Sequence, residues 1–277
     1  MKRFKTHVPG LDDLIGGGLP HRGVTLLLGP PGTPRQLLLE NVLWNALERD
    51  HRVLLLTTGT SPHELLRRAE EYGHDLREPH QRGDLTILNA FSIRAGVYHR
   101  TLGEIVQDLN PHRLRDQLLQ HDHDLLLIDL LQPIHRDDPD RYLHTLTTLK
   151  IVALERDTTI LAGCTSDLAQ HHADLPDTLL RTDAHELHGA LTYSLLPLTT
   201  QPPHLPKYRA PLTLLDDGTV LVHHDKILDP HTGDIRDADD HIDRTFHVPQ
   251  DVARDATEDS DVLEDLDQLL RELDEEG

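Results

Sequence analysis

Five short runs of apolar residues recur along the first 165 residues, and a segment of helical composition separates most of them. The runs are apolar along almost their whole length and cover residues 24–28, 53–57, 85–88, 125–128 and 158–162. A strand that is apolar on both faces belongs to a sheet covered on both faces, which is the environment of parallel strands joined by crossover helices. The pattern therefore predicts an α/β fold with a mostly parallel sheet flanked by helices.

The segments between and after these runs complete the predicted architecture. Helices are predicted over residues 35–48, 61–73, 102–119 with a break at Pro111, and 139–156. Ser61 followed by Pro62 and Glu64 is typical of a helix start, with Ser as the N-cap and Pro in the first turn. After residue 185 the chain becomes rich in β-branched and turn residues, which predicts antiparallel strands over 187–198, 208–215 and 220–223 at the edge of the sheet.

A glycine-bearing loop follows the first apolar run and precedes a helical segment. Its residues are Gly29, Pro30, Pro31, Gly32, Thr33, Pro34, Arg35 and Gln36. Strand, loop and helix are the context of a P-loop, G-x-x-x-x-G-K-[ST], which binds phosphates and Mg²⁺ through backbone N–H groups, a lysine and a hydroxyl. The last three positions depart from that pattern. Pro34 has no N–H, Arg35 carries a broad planar group in place of a compact ammonium, and Gln36 has no hydroxyl.

The sequence around this loop resembles a known family. Residues 8–20 read V-P-G-L-D-D-L-I-G-G-G-L-P, which resembles the glycine-rich opening segment of KaiC-like and archaeal RadA-related ATPases of the RecA superfamily. Further resemblances, in the family's order, lie at 55–62, 64–75, 125–129 and 207–209. The resemblance covers about residues 6–224 and implies a RecA-like P-loop fold.

The resemblance also implies roles for particular residues. Asp129 corresponds to the Walker B aspartate, and Lys207 and Arg209 correspond to a K-x-R segment that reaches the nucleotide of a neighbouring subunit. From the residues alone, Asp129 is equally readable as a strand-end carboxylate that caps a turn, and Lys207 and Arg209 as surface charges on an edge strand. Together with the loop, these residues form the predicted nucleotide site.

The family's two adjacent glutamates after the second strand, which position the attacking water, are replaced by Gly59 and Thr60. Because such groups supply much of the stabilisation in phosphoryl transfer, their combined loss predicts a protein without ATP turnover. We expect no catalytic residues, no required cofactor, and a regulatory or scaffold role toward a protein partner, including an active relative. The alternative is a nucleotide-binding sensor or slow ATPase that binds ATP or ADP with weak or no Mg²⁺ dependence, including an accessory role in DNA recombination.

The net charge of the chain limits the classes of molecule that it is expected to bind. The chain has 48 acidic and 27 basic side chains, of which only five are lysines, and a net charge of −21. This composition is typical of halophilic, in particular haloarchaeal, proteins, although a GC-rich genome with an acidic tail gives the same bias. A net negative charge disfavours electrostatic binding of DNA. With no apolar run near about 18 residues and no signal-like segment, a cytoplasmic protein without membrane contact is expected.

Most of the negative charge lies near the C-terminus, where residues 229–277 hold 18 acidic and 4 basic side chains. We therefore predict a domain over 1–224, a disordered acidic linker over 225–258 and an acidic amphipathic helix over 259–277. The apolar stripe of that helix is Val262, Leu263, Leu266, Leu269, Leu270 and Leu273. The helix either packs on its own domain or binds a partner or a second copy of the chain.

Metal and thiol chemistry receive little support. The 22 histidines show no helical pairing with a third ligand at zinc-site spacing, so no metal site is predicted. The single cysteine, Cys164, follows an apolar run and is expected to be an inert packed thiol.

Overall fold

The computed structural model describes residues 2–96, 102–136, 138–165, 175–187, 189–200, 205 and 207–238, with only the backbone of residue 93. The strands are β1 Arg3–Phe4, β2 Leu19–Pro20, β3 Val24–Leu28, β4 Val53–Thr57, β5 Leu85–Asn89, β6 Glu104–Ile105, β7 Leu125–Ile128, β8 Thr159–Cys164, β9 Thr178–Leu187, β10 Ala190–Thr199, β11 Ala210–Leu214, β12 Val220–Val222, β13 Lys226–Leu228 and β14 Ile235–Asp237. The helices are α1 Leu11–Leu14, α2 Arg35–Leu47, α3 Pro62–Glu71, α4 Arg77–Arg82, α5 Phe91–Arg94, α6 Pro111–Leu118, α7 Gln132–His135 and α8 Pro139–Glu155.

Ten strands form one sheet in the order β12-β11-β10-β9-β3-β8-β7-β4-β5-β6. From β9 to β6 every neighbouring pair is parallel. Strands β10, β11 and β12 continue the sheet antiparallel at its C-terminal edge. The predicted fold class, a mostly parallel sheet with antiparallel strands added at that edge, is confirmed.

The central strands are buried on both faces, as their apolar runs require. Successive residues of β3 point to opposite sides, so Leu26 and Leu27 belong to two separate apolar cores. Helices α2 and α3 cover the core around Leu27, and α6 and α8 cover the core around Leu26. All side chains of β3, β4 and β7 are buried, which fixes the carboxyl ends of these strands and the loops that follow them.

Helix starts are set by capping side chains. Ser61 accepts a hydrogen bond from the Glu64 N–H at 3.1 Å and α3 begins at Pro62, as predicted. The helix predicted over 102–119 is wrong in its first half, because Asn110 caps a helix that begins only at Pro111. Residues 104–105 pair instead with β5 at the edge of the sheet.

Strand β9 extends well beyond the antiparallel region that the sequence predicted after residue 185. Its first half pairs in parallel with β3, and almost its whole length pairs antiparallel with β10. Its burial is continuous from Thr178 to Leu180 and alternates from there to Leu187. This change of pattern within one strand explains why no single periodicity revealed it.

The predicted linker differs from the structure at its start. Strands β13 and β14 form a small sheet within residues 226–237, and a compact unit extends over Met1–Arg236. Leu228 is buried, and its N–H donates to the Arg209 carbonyl at 2.8 Å. The second unit, Asp237–Gly277, is described only at its first two residues, so the predicted helix over 259–277 lies outside the described residues.

Truncation tests this boundary. A chain ending at His224 is expected to be less stable than one ending at Ala238 by about 2 kcal/mol, because it loses the burial of Leu228 and its hydrogen bond to Arg209. Denaturant unfolding of the two truncated chains measures the difference. Equal free energies of unfolding for the two truncated chains would support the predicted domain boundary at residue 224.

Within the described ranges, none of the helices has the length and apolar character that crossing a lipid bilayer requires.

Candidate functional site

The predicted nucleotide loop and Asp129 lie at the same edge of the sheet. The loop joins β3 to α2, Asp129 directly follows β7, and β8 lies between those two strands. A Cβ on Gly163 in β8 would stand 2.3 Å from the Asp129 carbonyl oxygen and 3.1 Å from Arg35 Nη1. A larger residue at position 163 would therefore force the two sides of the site apart.

Few backbone N–H groups of the loop over residues 29–34 are left without a hydrogen bond to the protein. Pro30, Pro31 and Pro34 have no N–H. Gly29 donates to the Cys164 carbonyl at 3.0 Å. Within residues 29–34, the N–H of Gly32 is the one that makes no hydrogen bond with the described residues.

Thr33 and strand β9 add further hydrogen bonds in and around the loop. Thr33 N–H and Oγ1 both reach the Pro30 carbonyl, at 3.3 and 2.8 Å. From β9, Thr182 Oγ1 lies 3.0 Å from both the Leu28 carbonyl and Thr33 Oγ1. An intact P-loop presents a ring of free N–H groups to phosphate, and this loop presents few.

The guanidinium group of Arg35 is largely enclosed by the protein. Its Nη1 is buried and has no hydrogen-bond partner among the described residues, and a Cβ on Gly163 would touch it. Burial lowers the pKa of the Arg35 guanidinium, and the nearby Asp129 carboxylate opposes that shift. The guanidinium therefore packs against β8 at the base of the site.

Both carboxylate oxygens of Asp129 accept hydrogen bonds from the protein itself. Its Oδ1 accepts from Thr58 N and Oγ1 at 2.7 and 2.9 Å, and its Oδ2 accepts from Gly59 N and Thr60 N at 3.0 and 2.7 Å. Only 3% of the residue is exposed. Burial raises the pKa of Asp129, and the three backbone N–H donors oppose that shift. With its oxygens occupied in this way and no hydroxyl at Gln36, the residues present do not fit the Mg²⁺ of an ATPase.

The positions of the missing glutamates are also filled. Gly59 and Thr60 contribute their backbone N–H groups to Asp129. A Cβ on Gly59 would stand 3.0 Å from two carbon atoms of the Leu130 side chain. A glutamate at position 59 would thus require Leu130 to move.

Gln36 belongs to a buried ionic network that sequence reasoning missed. Its Nε2 donates to Glu40 Oε1 at 3.0 Å, and Arg68 Nη2 donates to the same oxygen at 2.5 Å. Glu40 is 3% exposed. Burial raises the pKa of Glu40, and the Arg68 guanidinium opposes the shift. The one feature of the sequence that could have indicated this network is the acid Glu40, which directly follows the apolar run Leu37, Leu38, Leu39.

The structure keeps Arg209 within its own chain. Arg209 Nη1 lies 2.5 Å from Asp183 Oδ2, which also accepts from Arg181 Nε at 3.0 Å. Lys207 is exposed. The reach of Lys207 and Arg209 toward a neighbour's nucleotide stays a prediction, and the Asp183 contact must open for Arg209 to make it.

No three His, Cys, Asp or Glu side chains in the described part of the chain are arranged to hold a metal ion. Cys164 is buried at the end of β8, and the Gln132 amide nitrogen approaches its sulfur at 3.8 Å.

Comparison with known proteins supports the resemblance. The family model of the KaiC ATPase matches residues 4–173. Similar proteins include the UPF0273 protein PF1931 of Pyrococcus furiosus, 25% identical over 82% of this chain and 96% of its own length. The UPF0273 protein MK0039 of Methanopyrus kandleri is 26% identical over 87% of this chain and 99% of its own. The UPF0273 protein MJ1359 of Methanocaldococcus jannaschii is 26% identical over 82% and 99%.

Proposed function

The chain belongs to the KaiC ATPase family, and from that premise we propose that it is a member without ATP turnover that acts as a regulatory or scaffold partner of another protein. An active relative from the same family is the partner that shared architecture favours. The single observation that supports this proposal most strongly is the Asp129 carboxylate, whose oxygens are occupied by donors from Thr58, Gly59 and Thr60.

The degenerate Walker A loop, which follows β3 on the other side of β8 from Asp129, supports the same proposal. Each element that would act on a transferring phosphoryl group is replaced by one that contacts the protein: Arg35 packs beside Gly163, and Gln36 binds Glu40. Since the loop, the metal ligands and the water-positioning groups act together in phosphoryl transfer, restoring one of them is insufficient.

We expect the purified chain to hydrolyse ATP no faster than a buffer blank. The triple variant Pro34→Gly, Arg35→Lys, Gln36→Thr is expected to stay inactive as well, because Gly59 and Thr60 still occupy the glutamate positions. Phosphate release measures both, with an intact KaiC-family ATPase as the positive control. We propose molar KCl for the assay because the net charge of −21 favours a salt-adapted protein.

The same assay tests the regulatory role when the chain is mixed with the active ATPase. A change in that enzyme's turnover supports a regulatory partner. Turnover by the chain alone within tenfold of the intact enzyme would contradict the proposal.

One observation favours a nucleotide-binding sensor as the second candidate. A pocket of about 250 Å³ borders the loop at Gly32, Thr33 and Pro34. The N–H groups of Arg35 and Gln36 open α2 and have no acceptor within the helix, which is a geometry that binds anions. Titration of ATP with and without Mg²⁺ distinguishes the candidates, since binding without turnover supports the sensor.

A further inference from the structure

A second pocket, of about 590 Å³, opens at the carboxyl ends of β5 and β7. Its walls come from α5, the segment between β6 and α6, the segment from Leu130 through α7 to Arg136, and α8. None of the loop residues 29–36 lines it. The pocket is therefore separate from the degenerate nucleotide loop.

The topology of the sheet favours a ligand at this edge. Strands β4 and β7 are neighbours, but the chain leaves β4 toward β5 and leaves β7 toward β8, in opposite directions along the sheet. Helix α3 after β4 and helix α8 after β7 consequently cover opposite faces. In open α/β sheets, ligands bind in the crevice that such a reversal creates outside the carboxyl ends of the strands.

The pocket is cationic in a strongly acidic chain. Arg94, Arg136 and Arg141 line it against a single carboxylate, Asp108, so its lining carries a net charge of +2. None of the three arginines forms an ion pair with a described carboxylate, whereas arginines such as Arg67 do. Unneutralised guanidinium groups that share one cavity favour an anionic ligand.

The three guanidinium groups keep donors available. Arg94 Nη1 donates a hydrogen bond to the Thr58 carbonyl at 2.5 Å. Arg141 Nε and Nη2 donate to the Ile134 and Leu109 carbonyls, at 2.5 and 3.0 Å. The guanidinium group of Arg136, exposed at the end of α7, makes no hydrogen bond with the described residues, although the backbone N–H of Arg136 donates to the Gln132 carbonyl. The carbonyl contacts hold Arg94 and Arg141 in place, and their other N–H groups have no acceptor among the described residues.

The remaining walls suit an organic ligand rather than a bare ion. The amides of Gln107, Asn110 and Gln132 lie beside five apolar side chains, those of Ala90, Val106, Leu109, Leu130 and Pro133. Gln132 Oε1 is buried without a hydrogen-bond partner in the described part of the chain. The pocket combines these apolar side chains with a larger number of polar ones, and its volume lies within the range of small-molecule sites.

We propose that this pocket binds a small phosphorylated ligand that carries at least two negative charges. The planar fork of arginine matches phosphate oxygens in pairs, and three such groups around one cavity accommodate a ligand with two phosphates. The proposal does not rest on the proposed function, because the pocket shares no residue with the loop, with Asp129 or with Glu40.

Calorimetric titration of the full chain with inorganic pyrophosphate, in KCl without Mg²⁺, tests the proposal. Binding at one site is expected, and Arg136→Gln is expected to weaken it about tenfold or more, the usual effect of a lost charge-assisted hydrogen bond. Arg22→Gln is the control for removing an exposed arginine, although the Arg22 side chain pairs with Asp157. Arg22 and Arg136 are both exposed and both have a positive φ, 59° and 53°. Arg22, however, lies just before β3, at the amino ends of the parallel strands and away from the pocket.

Arg35→Gln distinguishes this pocket from the degenerate loop. We expect it to leave pyrophosphate affinity unchanged. Two results would overturn the proposal: absence of pyrophosphate binding at millimolar concentration, or binding that Arg136→Gln leaves unchanged. In the second case, loss of binding in Arg35→Gln would place the ligand at the degenerate loop. Because the side chain of Arg136 has no hydrogen-bond partner among the described residues, its replacement is not expected to impair folding, and circular dichroism of the variant checks this.

Discussion

Replacing Asp129 with asparagine is expected to lower the free energy of unfolding by about 3 kcal/mol, although the substitution is nearly isosteric. The carboxylate accepts from the backbone N–H groups of Thr58, Gly59 and Thr60 and from the Thr58 hydroxyl. An asparagine offers one acceptor oxygen and presents its NH₂ group to the remaining donors. Those N–H groups would stay buried and unsatisfied, and the link between the ends of β4 and β7 would be lost.

Denaturant unfolding of the full chain measures this loss, and Asp124→Asn is the control. Asp124 precedes β7 as Asp129 follows it, but it is half exposed and contacts Arg52 N at 2.9 Å. A loss below about 1 kcal/mol is expected there. If Asp129→Asn costs no more than this control and abolishes a stabilisation of the native chain by Mg²⁺, Asp129 is a metal ligand, and the conclusion that the site does not fit Mg²⁺ is wrong.

The core of the fold could be predicted because its strands are apolar on both faces. Runs such as Val24–Leu28 and Leu125–Ile128, separated by helical segments, are typical of a parallel sheet covered by helices. Strand β9 could not be predicted as one element, because its first residues belong to the parallel core and its last alternate at the surface. Sequence periodicity reports local environment, and here the environment changes within ten residues.

The candidate site was only partly predictable for a different reason. The motif located Asp129 and the loop, and their positions follow directly from the strands they terminate. Three of the four donors to Asp129 are the backbone N–H groups of Thr58, Gly59 and Thr60, which the side-chain pattern does not reveal. Glu40 and Arg68 are 28 residues apart, and only the packing of α2 against α3 brings them into contact.

Removing Arg68 as Arg68→Met is expected to lower the free energy of unfolding by about 3 kcal/mol at pH 8, because Glu40 then remains buried without its charged partner. The loss should shrink toward pH 5. Burial already raises the pKa of Glu40, and Arg68 opposes that shift, so its removal raises the pKa further. A carboxyl with a raised pKa in the folded state contributes stability below its ordinary pKa of about 4.3, and that contribution is lost as pH rises through the folded-state pKa.

The neighbouring residue supplies the matched control for this prediction. Arg67 lies on the same helix but is exposed and pairs with Glu64 at 2.7 Å, so Arg67→Met is expected to cost below about 1 kcal/mol at either pH. The double variant Arg68→Met, Glu40→Gln should recover most of the loss at pH 8 and show little pH dependence over this range, because the amide is neutral and can still bond to Gln36. Unfolding curves at pH 5 and pH 8 measure all four chains. If Arg68→Met is equally destabilised at both pH values and Glu40→Gln restores nothing, the loss comes from packing of the arginine stem, and Glu40 is not the charge that Arg68 balances.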